Sequence, residues 1–160
     1  MVERGESASR RAEWLTGPSV PEDYWPGRRL GFPQSGTGSA ASLLRRAAGI
    51  VVDWGLVVLA VRLTMDADPI PQNIAIQSGF ALLYLVCVWL LGRTPGHLLM
   101  GIGVVDLATR RTLASTGPVG LLRAFVRTLL VCLVVPVVIM DPDGRGLHDR
   151  ASGAAVVRTR

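Results

Sequence analysis

Long apolar runs, separated by short polar turns, organise the chain. The first is Leu43 to Thr64, LLRRAAGIVVDWGLVVLAVRLT, which opens on an arginine pair and carries one carboxylate, Asp53, between Ala47 and Val61. The second, Ile74 to Leu91, has no charge at all. At about 1.5 Å of rise per residue, each predicts a helix of roughly 30 Å, the thickness of a bilayer's hydrocarbon core. The third run, Val119 to Met140, carries Arg123 and Arg127 four apart on one helical face and Pro136 beyond them. The apolar stretch after Arg127 covers only about 20 Å of helix. It either spans with its arginines held inside the protein or dips in and returns.

The segments between these runs set the expected topology. Asp66 to Pro71 reads as an acidic exterior turn, so the first two helices make an antiparallel hairpin. Gly92 to His97 is a tight turn on the cytoplasmic side, marked by Arg93. Ile102, Val104 and Val105 are strand-like, with a return expected at Thr112 to Ser115 as a short inner-surface hairpin. Met1 to Ala41 is polar and predicts a flexible cytoplasmic tail. Within it Tyr24, Trp25, Leu30 and Phe32 lie beside Arg28 and Arg29, a mix suited to lipid headgroups. The last stretch, from Asp141, opens on an Asp-Pro-Asp-Gly turn and is arginine-rich, which places it in the cytoplasm. The fold class predicted is an all-α membrane protein. It has a helical hairpin over about 43–64 and 74–91, a third transmembrane or re-entrant helix over about 119–140, and a disordered N-terminal tail. The domain expected is 42–158, preceded by the tail 1–41.

Composition agrees. The 160 residues are 49% hydrophobic with a formal charge of +5, and every basic residue is arginine. The mean hydropathy is +0.39. The arginines flank apolar runs instead of forming a stripe, which points to orientation in a membrane and not to nucleic acid. Cys87 and Cys132 sit inside apolar runs as small buried side chains, without metal-ligand spacing. The first 40 residues lack the apolar core of a cleavable signal peptide. His97 and His148 lack a third ligand, and Asp66 with Asp68 offer too few oxygens for calcium, so no metal is expected. GIGVVD lacks the third glycine of a dinucleotide loop. No nucleophile accompanies His148-Asp149-Arg150. The chain is therefore not expected to be an enzyme or to carry a cofactor.

Asp53 is the candidate with chemistry. An acidic residue near the bilayer midplane costs roughly 2.5–3.5 kcal/mol on insertion scales, so a chain that keeps one gives it a partner or a task. Arg46 lies two turns earlier on the same face, with Gly49 and Ile50 between. Three readings stay open. Asp53 forms a structural ion pair with Arg46, Arg123 or Arg127; it handles a proton or cation; or it faces a polar cavity. Asp149 is expected to lock the tail against the inner-surface hairpin.

Arg46 with Asp53, the GRTPG turn, GIGVVD, the arginines of the third run and GRGLHDRASGAAVV together resemble the RDD family of bacterial membrane proteins. The resemblance runs over about residues 39 to 158. It assigns the family's arginine to Arg46 and its two aspartates to Asp53 and Asp149. It also marks Gly92, Thr94, Pro95, Gly96 and His97 as the family's inner-surface turn. His97 stands where that turn usually has lysine, and Gly103 where the strand usually has arginine. The resemblance implies a multi-pass protein of the plasma membrane with its N-terminus in the cytoplasm. It raises transport of a cation or proton through Asp53, with a non-catalytic module that binds a partner protein or anionic lipid as the alternative. Membrane lipids, and a second copy or a partner membrane protein, are the expected partners.

Overall fold

The computed structural model describes residues 23–66, 68–107, 119–133 and 141–160. Helix α1 is Leu43–Thr64. The Ser42 side chain caps it by accepting from the Arg45 amide. Helix α2 is Pro69–Leu91 and starts five residues before the apolar run. The two prolines expected in a turn instead occupy its first turn, where a missing N–H is no loss. Gly92, at φ 67°, ends it. Helix α3, Pro95–Met100, follows at once, and strand β1 is Ile102–Asp106. Helix α4 is Leu121–Cys132, helix α5 is Leu147–Ala151 and strand β2 is Ala154–Arg158.

β1 and β2 form a two-stranded antiparallel sheet with Val104 opposite Val156. The protein is thus mostly helical, as expected, but β1 pairs with the GAAVV segment near the C-terminus. The expected return at Thr112 to Ser115 lies outside the described residues. Residues 23–41, placed in the flexible tail by composition, pack onto this sheet. Phe32 is buried against Val105, Ala155 and Val157, Ala40 bridges Val157, and the Trp25 indole donates to the Phe32 carbonyl at 2.9 Å. Tyr24 bonds Asp143. A few apolar anchors outweigh the polar average of that segment, because the sheet supplies a surface for them to cover. Residues 1–22 lie outside the described residues.

The sheet, α3, α5 and residues 23–41 form a cap at the end of the hairpin where α1 begins and α2 ends. Among the described residues, α1 and α2 are the two helices long and apolar enough to cross a membrane. Of their most apolar windows only 11% and 22% of residues are buried by the rest of the chain. They are therefore not core helices of a water-soluble fold. Leu44, Leu63 and Ile70 are each more than 70% exposed, and a large apolar side chain left in water forgoes about 1.5–3 kcal/mol. Helix α4 has the same inverted character. Arg127, Thr128 and Ala124 face inward, while Leu122, Phe125 and Leu129 face out.

Both described ends of the segment that contains α4 lie at the cap. Val119 donates to the carbonyl of Val88, one turn from the cap end of α2. Asp141 is again at the cap, bonded to Arg145. The eight steps from Leu133 to Asp141 reach at most about 28 Å. Of the two sequence alternatives for the third helix, these contacts fit the re-entrant one; residues 134–140 lie outside the described residues.

Candidate functional site

The family-motif charges converge beneath the cap. Helix α1 brings Arg46, Gly49 and Asp53 to one buried face, because residues three and seven apart share a side of the helix. That face meets α3. Gly49 permits the approach, since a Cβ there would already lie 3.3 Å from the His97 ring. At Gly96 a Cβ would meet the Gly49 carbonyl oxygen at 2.1 Å and the Asp53 carboxyl carbon at 2.9 Å. Two glycines thus let α1 and α3 touch backbone to backbone.

This contact delivers Asp53 to the start of α3. One carboxylate oxygen accepts from the Thr94 hydroxyl at 2.5 Å and the other from the Gly96 amide at 2.7 Å. Thr94 is also the N-cap of α3 and accepts from the His97 amide at 3.2 Å. The His97 ring nitrogen Nδ1 in turn accepts from the Thr94 amide at 3.4 Å. Asp53 is fully buried. It thereby satisfies helix-start donors that α3 leaves open. This corrects the ion-pair expectation: among the described residues, none of Arg46, Arg123 and Arg127 pairs with Asp53.

Those arginines are committed elsewhere. Arg123 pairs with Asp106 at 2.5 Å. Arg46 and Arg127 both meet Asp149, which is fully buried. Arg46 reaches one oxygen at 2.5 Å, and Arg127 bonds the other. Arg46 also donates to the carbonyls of Ala41 and Val156, at 3.1 and 3.3 Å. Arg127 donates to the Tyr84 hydroxyl at 3.2 Å. The Gly146 amide adds a bond to Asp149 at 3.3 Å. The carboxylate thus joins α1, α4 and α5, and its two arginines extend the network to α2 and β2. Burial alone would raise the Asp149 carboxyl, but the guanidiniums of Arg127 and Arg46 outweigh it and hold it well below the usual carboxylate range.

His97, which stands where the family's turn usually has lysine, is 2% exposed. Its ring meets Tyr84 edge-on at 5.8 Å. Burial, seconded by the nearby Arg127 charge, pushes it down to about 3, so it is neutral at physiological pH. The unfolded chain takes up a proton near pH 6.5 that the folded chain refuses until about 3. Stability therefore falls as pH drops through this window. The expected slope between pH 6 and 4 is up to about 1.4 kcal/mol per pH unit, read from chemical denaturation in detergent. His97→Gln is expected to flatten it. Gly103, in the place of the strand arginine, is buried within β1.

The sequence alone does not point to Thr94 as the donor to Asp53, Tyr84 as the partner of Arg127, or Asp106 as the partner of Arg123. A threonine before proline is a helix-start signal, and it could have marked Thr94 as a cap. Nothing in the sequence marks Tyr84 beyond its place in an apolar run. Among the described residues no group of His, Cys, Asp and Glu is arranged to hold a metal.

No curated protein and no solved structure matches the chain. A family model, described as the RDD family, matches residues 40–153. That stretch begins at the bridge between Ala40 and the sheet, contains Arg46, Asp53 and Asp149, and ends just before β2. With two exposed apolar helices and this match over most of its length, the chain is a membrane protein that belongs to the RDD family.

Proposed function

We propose that this protein is a non-catalytic membrane module, in which the motif charges hold a basic cap rigidly on a two-helix membrane hairpin. The observation that carries this reading is the state of the charges. Arg46, Asp53, Arg127 and Asp149 are each at most 4% exposed, and each is engaged by bonds within the chain. A carboxylate that carries ions needs a route to both sides of the membrane, and two crossing helices give little wall for one. Arginine distribution supports a cytoplasmic cap. Arg28, Arg29, Arg93, Arg150 and Arg160 lie at the cap end, against Arg62 at the other. In that orientation the cap, the N-terminus and the C-terminus share the cytoplasmic side of the plasma membrane. The exposed arginines then face anionic lipid or an acidic partner.

One observation favours a second reading, cation or proton transfer through Asp53: this carboxylate lies within a membrane helix without a cationic partner among the described residues. Proton flux in proteoliposomes under sodium, potassium or lithium gradients, with wild type beside Asp53→Asn at matched reconstitution, separates the two. The module reading expects no flux above the leak of empty liposomes. It also expects Asp53→Asn to lower stability by about 1.5–3 kcal/mol, the range for a hydrogen bond to a charged group. Flux in wild type that vanishes in a folded Asp53→Asn protein establishes the second reading.

A further inference from the structure

An apolar groove of about 570 Å³ runs between α1 and α2, within the roughly 300–1,000 Å³ typical of small-molecule sites. Its walls include Val57 and Ala60 of α1, with Gly79, Leu83 and Cys87 of α2. It lies in the membrane-spanning part of the hairpin and ends at the cap on Pro95. Two residues from Pro95, so within about 7 Å along the backbone, is Arg93. Arg93 is partly exposed and, among the described residues, its side chain makes no hydrogen bond or ion pair. Every other feature of this turn is committed: Thr94 and Gly96 to Asp53, and His97 to Thr94. An uncommitted arginine thus lies two residues from the cap end of an apolar slot.

We propose that the groove holds an acyl chain of an anionic phospholipid whose phosphate is bound by Arg93. The apolar walls suit hydrocarbon, and the arginine suits a phosphate oxygen pair. A second copy of the chain would fill the groove but would leave Arg93 without its counter-charge, since the groove lining carries no acid. The proposal rests on the placement of α1 and α2 in the membrane. It is independent of whether Asp53 carries ions.

The test reconstitutes the full chain in nanodiscs with phosphatidylglycerol or phosphatidylcholine bearing a photoreactive group in one acyl chain. Labelled peptides are mapped by mass spectrometry. The expected result is labelling of groove residues with a preference of about fivefold for phosphatidylglycerol, set by one arginine near the headgroup. Arg93→Gln should abolish the preference and leave tail labelling in place. Ala60→Phe, at an exposed position of the groove wall, should remove groove labelling while the helical circular dichroism is unchanged. Equal labelling by both lipids in wild type overturns the proposal, as does a preference that survives Arg93→Gln. Crosslinking of the groove to a second copy overturns it in favour of a dimer. If Ala60→Phe fails to fold, the Arg93→Gln comparison still decides. None of these failures bears on the Asp53 flux experiment.

Discussion

Replacing Asp149 by alanine is expected to destabilise the protein by about 3–5 kcal/mol, the range for removing one partner of a buried ion pair. The reason is the state it leaves behind. Arg46 and Arg127, 4% and 1% exposed, would face each other beneath the cap without a carboxylate between them. Arg46 would keep its bonds to Ala41 and Val156, and Arg127 its bond to Tyr84. Neither set neutralises a charge. Helix α5 would also lose the acceptor for the Gly146 amide. Small globular domains are stable by only about 5–15 kcal/mol, so a loss of this size removes much of what holds the cap closed. Thermal unfolding in detergent measures it. Arg46→Ala alone should cost less than Asp149→Ala, because Arg127 would still balance the carboxylate.

Gly96→Ala is expected to cost about 3 kcal/mol or more, at or above the upper end of ordinary overpacking. The added methyl would meet the backbone carbonyl of Gly49 at 2.1 Å, an atom that cannot swing aside as a flexible side chain does. Relief requires α1 and α3 to separate, and separation breaks the bonds from Thr94 and Gly96 to Asp53. Gly49→Ala meets the His97 ring edge at 3.3 Å and the Gly96 backbone at 3.5 Å, an ordinary contact distance, and should cost less. Urea or thermal denaturation of the two variants side by side checks the order. Equal effects would show that the contact is looser than these distances.

The hairpin was legible in the sequence because a bilayer imposes a length and a composition on what crosses it. Leu43–Thr64 therefore has the expected bounds to the residue. Pro69 and Pro71 obscured the start of α2, since proline reads as a turn although it is tolerated in the first turn of a helix. The cap was less legible. β1 and β2 are five residues each and are separated by the 47 residues between Asp106 and Ala154, so no local pattern announces their pairing. Phe32 and Trp25 sat in a stretch whose average composition is that of a tail. The site residues were found by motif, but their pairing was not. Arg46 and Asp53 share a helix face, which invites a bond between them. Yet the stagger of about 10 Å along the axis lets each reach a different element, Arg46 toward α5 and Asp53 toward α3.

If the motif charges fasten the cap to the hairpin, hydrogen exchange in the sheet reports it. In wild type, the amides of β1 and β2 should exchange only through opening of the whole cap. In Asp149→Asn, which preserves the side chain's shape but not its charge, they should exchange about a hundredfold faster or more, while amides in the middle of α1 and α2 remain protected. Sheet amides in Asp149→Asn that exchange at the wild-type rate would mean that the buried charges do not hold the cap closed.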